Sequence, residues 1–409
     1  MAPRVSAHGL TMPPAARVII CGAGIAGLTL AWWLGRGGCR VLIVEKAARL
    51  RDEGYMFDFY GPGYTVAERM GLLRRLQELC YRVHRVSWID EHERSVSELD
   101  YEVFRRLLDG RVLSLMRGDL VWALFDDLPD TVEVRFGREI KRLNSLETEI
   151  DVTLTSGENE VADVLIGADG IHSAMRAHLF GDEASFVRHL GFRAAAFAFE
   201  HPTLAQALHG ELKLLSLRGR HVGFFPIRGG RIASFFVHRA SPTATVANPL
   251  AELRAAFGDL GWLVPVALER AAALPSIYYD QVAQIELPRW RRHRVGLVGD
   301  ACQAVSVLAA QGASLAMAAA YLLAQELLRQ HSIEVALERY EALLKPAIEQ
   351  QQAAGRRMAR WSAPTTQWKL RLRNGIFALA NQPGMSLLLK PMFTSAVGRI
   401  ISAAGEPPR

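Results

Sequence analysis

The sequence is poor in cysteine and lacks an export signal. Its 409 residues contain four cysteines, at positions 21, 39, 80 and 302, and no Cys-x-x-Cys pair. That scarcity argues against a disulfide framework or a zinc site and indicates a reducing compartment. Residues 1–15 include three prolines and no apolar core of a secretory signal, so we expect a disordered leader and a cytoplasmic location.

Charge is also scarce. Only 22% of the residues are charged while 50% are hydrophobic, which excludes disordered and collagen-like chains. The net charge is +6, yet residues 356–409 hold nine basic side chains and one acidic one, so the rest of the chain carries −2. A body without excess positive charge argues against nucleic acid as a partner.

One stretch has no charged residue at all. Twenty-five residues separate Asp300 from Glu326, which is long enough for a membrane span. The stretch begins with a polar, loop-like segment and continues with alanine rather than leucine. We therefore predict a buried helix here.

The order of apolar segments predicts an α/β protein with a discontinuous Rossmann-like domain. Residues 16–45 follow the pattern strand, glycine-rich turn, helix, strand, which is a βαβ unit. Helices are predicted over 64–83 and 105–128, short strands over 131–167, and helices again after residue 300, interrupted at prolines such as Pro346. The predicted division is a leader over 1–15, a nucleotide-binding domain over 16–184 and 291–355, an inserted antiparallel β-sheet domain for a ligand over 185–290, and a basic C-terminal helical segment over 356–409.

A glycine-rich turn follows the first strand. Gly22 allows the tight turn, Gly24 lets the backbone approach a pyrophosphate, and Gly27 lets the next helix pack on the strand. Glu45 ends the second strand, 21 residues after Gly24, where an acidic side chain bonds the hydroxyls of a ribose. An acid at this place fits FAD or NAD better than a nucleotide with a 2′-phosphate.

Two further strands end in an aspartate. Asp169-Gly170 follows an apolar strand, with Ser173 as the expected cap of the next helix. Asp300 follows another buried strand, which puts a carboxylate at the carboxyl edge of the sheet, where ligands bind. The long helix predicted to begin near Gly312 directs the positive end of its dipole toward the same edge.

Taken together and in this order, the three motifs resemble those of the single-component FAD-dependent monooxygenases of the p-hydroxybenzoate hydroxylase fold. The segments EGYMFDFYGPGYTVAERMGLL and MRGDLVWAL resemble the branch that contains the tetracycline-inactivating monooxygenases. The resemblance implies FAD as cofactor, NADPH or NADH as electron donor, and O2 and a hydrophobic small molecule as substrates. It leaves the oligomeric state open.

The resemblance also implies roles for single residues. Arg117 would contact FAD, Asp58 would lie near the flavin, and Arg51 would either bind the phosphates of the nicotinamide cofactor or be an exposed loop arginine. The chemistry belongs to the flavin, so no catalytic side chain is assigned. The residues expected to bind the cofactors are Gly22, Gly24, Ala26, Gly27, Glu45, Lys46, Arg51, Asp58, Arg117, Asp169, Gly170, Asp300, Gly312 and Ala313.

The chain departs from the family pattern after its third motif. Where the family has His, Pro, Gly and Asn, this sequence has Gln303, Val307, Ala310 and Ser314. Val307 adds a side chain and a backbone N–H that proline lacks, at the edge of the flavin ring where oxygen reacts. Gln303, Val307 and Gln311 are expected near the ring, so the change bears on oxygen insertion and substrate choice more than on FAD binding.

Phenylalanines alternate through the strands of the inserted domain. One interpretation is an ordinary hydrophobic core, and the other is a large apolar pocket on the inward face, with Pro226 bending the wall toward the flavin. His221 and His238, in the same strands, are expected to be structural or exposed. The pocket interpretation assigns substrate contacts to Phe192, Phe224, Phe225, Pro226 and Phe235.

The basic C-terminal segment also has two interpretations. Its lysines and arginines are spread among tryptophan, leucine, isoleucine and phenylalanine, which fits an amphipathic helix in peripheral contact with an anionic membrane. The same pattern fits a helix that packs over the substrate cavity, with its charged ends reaching solvent.

These features predict a FAD-dependent monooxygenase that consumes NAD(P)H and inserts one oxygen atom from O2, through a flavin C4a-hydroperoxide, into an aromatic or polycyclic molecule. Hydroxylation is the expected reaction, with epoxidation or Baeyer–Villiger insertion as variants. Two alternatives stay open. One is a flavin reductase, dehydrogenase or oxidase that acts on an apolar substrate without oxygenating it, and the other is a non-catalytic flavin-binding partner protein.

Overall fold

The computed structural model describes most of the chain. The leader, Arg51, Ala310 and most of the basic segment that we expected to be helical lie outside the described part. The described residues are 16–50, 54–145, 148–241, 246–309, 311–362, 366, 368, 372, 375–376 and 396–405.

The strands fall into four sheets. In chain order they are β1 (Arg17–Cys21), β2 (Arg40–Glu45), β3 (Met56–Tyr60), β4 (Arg85–Ile89), β5 (Ser95–Asp100), β6 (Val112–Met116), β7 (Val132–Phe136), β8 (Ile140–Ser145), β9 (Ile150–Leu154), β10 (Asn159–Ala162), β11 (Val164–Gly167), β12 (Val187–Glu200), β13 (Glu211–Leu217), β14 (Arg220–Ile227), β15 (Arg231–Arg239), β16 (Tyr278–Ile285), β17 (Arg291–Arg292) and β18 (Val295–Leu297).

The helices alternate with these strands and dominate the C-terminal part. Short 3-10 turns lie at Glu183–Ser185, Arg228–Gly230 and Val307–Ala309. The described α-helices are α1 (Ile25–Arg36), α2 (Pro62–Arg69), α3 (Leu73–Leu79), α4 (Tyr101–Leu107), α5 (Arg117–Asp126), α6 (Ala174–Phe180), α7 (Pro202–Ala207), α8 (Pro249–Phe257), α9 (Val264–Ala271), α10 (Asp300–Gln303), α11 (Gly312–Arg329), α12 (Ile333–Ser362) and α13 (Ala396–Ala403).

The first sheet confirms the Rossmann-like prediction. It has six strands in the order β17-β18-β11-β1-β2-β7, of which five are parallel and β17 is an antiparallel edge. β1 and β2 have continuous buried valine and isoleucine runs, as expected for parallel strands covered on both faces. Because β1 lies between β11 and β2, the turns that follow these three strands meet at one edge of the sheet.

α1 packs on this sheet, and α11 packs on α1. Eleven of the twelve residues of α1 are buried. α11 contains the alanines of the uncharged stretch, and its interior positions are buried, which confirms the prediction of a buried helix. No helix in the described part of the chain is long and apolar enough to cross a membrane.

The second sheet has seven strands in the order β16-β12-β15-β14-β13-β4-β5. All its pairs are antiparallel except β13 with β4. α8 and α9 contribute to the apolar core on one face, and the two-stranded β3–β6 ribbon packs on the other. The domain boundary predicted at residue 185 stays a prediction, but residues 85–100 add β4 and β5 to this sheet from outside the predicted 185–290 segment.

Two helix predictions were wrong. Residues 105–128 are not one helix, because Asp109 and Gly110 turn the chain with φ of 51° and 74° and β6 follows, where it pairs with β3. Asp-Gly is a turn signal that outweighs helix propensity here. Pro346 lies inside α12 and does not interrupt it. The proline removes one helical hydrogen bond, but the packing of buried residues such as Ile348 holds the helix together.

Candidate functional site

A cleft opens between the two sheets at the carboxyl ends of β1, β2 and β11. Its outer part has a volume of about 910 Å³ and its inner part about 150 Å³. Gly24, Arg117, Tyr278 and Asp300 line both parts, so the two form one continuous cleft. Ligands of open parallel sheets bind at this edge.

The glycine-rich turn leaves room for a ligand at one position only. Gly22 has φ of 106°, and a Cβ there would lie 2.6 Å from the carbonyl oxygen of Ala168. A Cβ on Gly27 would lie 2.0 Å from the carbonyl oxygen of Gly22, so both glycines are required by packing. A Cβ on Gly24 would meet nothing within 4 Å, and Gly24 lines the cleft. The open side of Gly24, next to the start of α1, fits a pyrophosphate.

Glu45 is held beside this turn by two backbone donors. The N–H of Ala23 donates to Glu45 Oε2 at 2.8 Å, and the N–H of Ala47 donates to Oε1 at 2.8 Å. Each carboxylate oxygen has further acceptor capacity, which suits ribose hydroxyls. Lys46 follows on the exposed rim of the outer part.

Asp169 and Gly170 line the cleft on the other side of β1. The carboxylate of Asp169 accepts from Ser173 Oγ at 2.5 Å and from the N–H of Met175 at 3.0 Å. Ser173 in turn caps α6, as the sequence predicted, by accepting from the N–H of Arg176 at 2.9 Å. The aspartate therefore fixes the loop that follows β11, and Gly170, with φ of 82°, completes its turn.

Sequence reasoning missed the part that Arg176 has in this arrangement. Its side chain is fully buried and donates to the carbonyl oxygens of Ile171 at 2.7 Å and Ala301 at 3.0 Å. It thereby ties the loop after β11 to the loop that begins at Asp300. The signal was its place three residues after Ser173, the predicted cap of α6. We had assigned no function to Arg176 itself.

Asp300 and Arg117 are charged residues that line both parts of the cleft. Gly299 reaches φ of 68°, and a Cβ there would lie 2.7 Å from the Cβ of Ala26, so the strand must end in glycine. Asp300 opens into both parts of the cleft, and burial raises the pKa of its carboxyl while Arg117 opposes that rise. Arg117 begins α5, with its N–H donating to the carbonyl oxygen of Tyr55 at 3.1 Å. Ala26 lines the inner part beside this pair.

Two tyrosines that sequence reasoning missed line both parts of the cleft. Tyr55 leads into β3 and Tyr278 begins β16, so one comes from each side. Their ring centroids are 6.0 Å apart, and the ring of Phe235 lies 5.6 Å from Tyr55. Burial raises the pKa of both phenols, so both are neutral at pH 7. The sequence shows a tyrosine just before β3 and another at the start of β16. Hydrophobic periodicity alone does not distinguish a tyrosine that lines a cleft from one in the core.

The loop after Asp300 surrounds the inner part of the cleft. Val307, Gly312 and Ala313 line it, as expected. Gln311 does not line it, and its Nε2 donates instead to Tyr60 Oη at 3.1 Å. Gln303 is 3% exposed and neither amide atom has a hydrogen-bond partner within the described structure. Of the three residues expected near the ring, only Val307 lines the cleft.

Asp58 does not line the cleft either. Side chains alternate along β3, so Phe57 faces the inner part and Asp58 faces the opposite way. The Asp58 carboxylate accepts from Tyr101 Oη at 2.5 Å and from Ser114 Oγ at 2.7 Å. We expected Asp58 near the flavin because of its position in the glycine-rich segment. That expectation did not take into account that side chains alternate between the two faces of a strand.

Two of the residues proposed for a substrate pocket face away from the cleft. Phe224 is fully buried against Phe236 and Trp262, with ring centroids 5.9 and 5.0 Å away. Pro226 lies on the same face as Phe224 and pairs with Ile232 in unbroken register, so no bend directs the wall toward the cleft. For these two, the core interpretation is correct.

The other three lie on the face turned toward the first sheet. Phe192 and Phe235 pack in one apolar cluster with Val307 of the inner loop. Phe225 shares that face but packs against Tyr81, 6.1 Å away, beneath the β3–β6 ribbon. Phe192 and Phe235 line neither part of the cleft themselves, but they pack with Tyr278 and Val307, which line its inner part, and the four residues together form an apolar wall.

His172 links the two sides of the cleft. Its Nδ1 lies 2.9 Å from Glu183 Oε1, and its Nε2 lies 3.0 Å from Asp280 Oδ2 on β16. Hydrogen bonds with Asp280, followed by those with Glu183, raise the pKa of the imidazole to about 9. His172 lies between Gly170 and Ser173 of the second motif, and we predicted no contact for it from the sequence.

Comparisons with known proteins identify the family of the chain. A family model described as FAD binding domain matches residues 15–353. A flavin-dependent monooxygenase from an unknown prokaryotic organism is 31% identical over 351 residues, covering 84% of this chain and 89% of the relative. An uncharacterised protein of Mycobacterium tuberculosis (strain CDC 1551 / Oshkosh) is 34% identical over 325 residues, covering 76% and 84%. The crystal structure of tetracycline destructase Tet(51) superposes with a TM-score of 0.80 at 25% identity, covering 93% of this chain and 99% of that one.

Proposed function

The chain belongs to the FAD-binding-domain family of flavin-dependent monooxygenases, and from this premise we propose that it takes electrons from NADPH or NADH and inserts one atom of O2 into a hydrophobic aromatic or polycyclic molecule. Bound FAD supplies the transfer of electrons to oxygen. Hydroxylation is the reaction we propose first. We also propose that the protein acts in the cytoplasm.

The polar residues of the cleft are suited to hold FAD. The open side of Gly24 would admit the pyrophosphate, and the Glu45 carboxylate, fixed by two backbone N–H groups, would accept ribose hydroxyls. Asp300 would bond the ribityl hydroxyls, and Arg117 would balance its charge. These residues bind and orient the cofactor, and none of them needs to exchange a proton.

The single observation that supports an apolar substrate is the wall at the inner part of the cleft. Tyr278 and Val307 present it to the inner part of the cleft, and Phe192 and Phe235 pack in the same cluster. Such a surface excludes water and binds flat apolar rings by stacking. The solved relative is named for tetracycline, a polycyclic compound, which favours a polycyclic substrate here as well.

The first experiment is a visible absorption spectrum of the purified protein before and after addition of NADPH or NADH under nitrogen. We expect a yellow flavin spectrum that bleaches with the nicotinamide donor. The protein is then supplied with ¹⁸O₂ and polycyclic probes, tetracycline first, and the product is weighed by mass spectrometry. One ¹⁸O atom per product molecule would support the proposal.

A second candidate function has a specific observation in its favour. Val307 stands at the inner part of the cleft where the family pattern has proline, which makes a flavin oxidoreductase that does not oxygenate its substrate worth testing. That enzyme would bleach with NAD(P)H and release a product free of ¹⁸O. Such a result would refute the monooxygenase proposal and leave FAD binding intact.

A further inference from the structure

Two buried glutamines join three separate elements beside the inner part of the cleft. Gln284 lies on β16 and Gln352 on α12, and they are 0% and 4% exposed. Gln284 Nε2 donates to the carbonyl oxygen of Val305 at 2.8 Å and to that of Gln352 at 2.9 Å. Gln352 Nε2 donates to the carbonyl oxygens of Ile285 at 2.7 Å and Ala304 at 3.1 Å. The pair therefore connects β16, α12 and the segment that follows α10.

The segment reached by these bonds lines the inner part of the cleft. Residues 304–307 all contribute to that lining. Ser306 within it has φ of 114°, in the region that favours glycine. A non-glycine residue held there is strained and persists only where its surroundings fix the backbone. The carbonyl groups of the two preceding residues, Ala304 and Val305, are the ones that the glutamines bind.

α12 approaches this segment as closely as a helix can. A Cβ on Gly355 would lie 2.7 Å from the carbonyl oxygen of Val305, so a larger residue would push the helix away. Arg356 donates to Gln284 Oε1 at 2.9 Å, which uses the acceptor of that amide. Gln284 thus has its donor and its acceptor bonded, and its orientation is fixed.

Proline at position 307 would stiffen the backbone, and Val307 does not. We propose that Gln284 and Gln352 are positioning residues that hold segment 304–307 in the shape it presents to the bound flavin. The part of this inference that concerns the flavin rests on the proposed function. The part that concerns the segment itself does not, and the test separates the two.

The test uses Gln352→Leu, which removes the two donors that reach Ala304 and Ile285 and keeps a side chain of similar size. Hydrogen–deuterium exchange is measured on peptides covering residues 303–309 in FAD-free protein. Loss of two buried hydrogen bonds should accelerate exchange there by about tenfold or more. Visible circular dichroism of the FAD-bound variant should change as well, because the flavin would meet a displaced segment.

Gln325→Leu is the matched control. Gln325 is a buried glutamine on α11 that donates to Tyr321 Oη and to the carbonyl oxygen of Gly405, neither of which belongs to segment 304–307. It should lower the thermal stability comparably and leave both signals unchanged. Unchanged exchange at 303–309 in Gln352→Leu would overturn the proposal, and so would an equal acceleration in the control. Faster exchange with unaltered dichroism would overturn only the part that concerns the flavin.

Discussion

The two sides of the cleft differ in the groups that they present to a ligand. One side presents backbone groups and carboxylates, and the other presents aromatic rings. The first side consists of the turns after β1, β2 and β18, where Gly24, Glu45 and Asp300 present an open cradle and two carboxylates. The second side consists of one face of the seven-stranded sheet, where Phe192 and Phe235 meet the inner loop. Tyr55, which leads into β3, and Tyr278, which begins β16, line both parts of the cleft.

The two sides tolerate change differently because their shapes have different origins. The backbone of the glycine turn is packed so closely that a Cβ on Gly27 would lie 2.0 Å from a carbonyl oxygen. A substitution at a single glycine is therefore enough to disrupt the turn. The aromatic wall is fixed by the register of several strands and by the helices behind it. Substitutions on the first side should therefore abolish or weaken cofactor binding, and substitutions on the second should change stability or substrate choice.

The largest effect is expected from Gly24→Val. The new side chain would fill the space in which the pyrophosphate must approach the backbone, so FAD binding should be lost altogether. Isothermal titration of the apoprotein with FAD measures this directly. Gly261→Val is the control, since a Cβ there also meets nothing within 4 Å, but Gly261 does not line the cleft. Retained FAD affinity in Gly24→Val would refute the pyrophosphate site.

The next largest effect separates the two faces of the second sheet. Phe224→Ala should lower the free energy of unfolding by about 3–5 kcal/mol, because the ring is fully buried behind the wall. Phe235→Ala should cost less stability, since that ring is only half-buried, and should alter the substrate dependence of NAD(P)H oxidation through Tyr278 and Val307, which pack in the same cluster and line the cleft. Urea unfolding and steady-state rates distinguish the two. Equal behaviour of the variants in both assays would contradict the division of the sheet into a core face and a cleft face.

The sequence predicts the glycine-rich side of the cleft better than the aromatic side, because the two sides have different structural origins. The glycine turn, Glu45 and Asp300 each stand at the end of a buried strand that its own apolar residues mark in the sequence, so the motifs predict the fold and the cofactor edge. The orientation of Phe224 depends on strand register across the sheet, and that of Asp58 on its phase along β3, which local pattern does not specify. The amide pair Gln284–Gln352 joins residues 68 positions apart, and no motif signals it.

Asp300→Ala should have a smaller effect than either. It removes one carboxylate that would bond FAD hydroxyls, so FAD affinity should fall by about 1–3 kcal/mol rather than vanish. Asp126→Ala, at the exposed end of α5, is the matched control and should bind FAD normally. The dissociation constants are compared by flavin fluorescence quenching. An Asp300→Ala protein with unchanged FAD affinity would remove Asp300 from the cofactor site.

The smallest effect concerns the ion-pair cluster around His172, which links the loop after β11 to β16 across the cleft. Glu183 and Asp280 both face His172, and Arg176 lies 3.5 Å from Glu183. The folded state raises the pKa of His172 from 6.5 to about 9, so protonation favours folding. The stabilisation is complete below pH 6.5 and disappears as the pH rises through 9. Because the imidazole is half exposed, solvent screening limits the gain to about 1 kcal/mol or less.

His172→Gln isolates this contribution. Its unfolding free energy should lie below that of the unchanged protein at pH 6, and the difference should shrink between pH 6.5 and 9 and vanish above that range. Chemical unfolding at half-unit intervals of pH measures both curves under identical salt. Since His172 joins the loop after β11 to β16, the variant should also hold the two sides together less firmly. Protection of the β16 amides, after correction for the intrinsic rise of exchange with pH, should fall with pH only in the unchanged protein. A difference that stays constant across this pH range would show that the cluster is not held by the imidazolium charge.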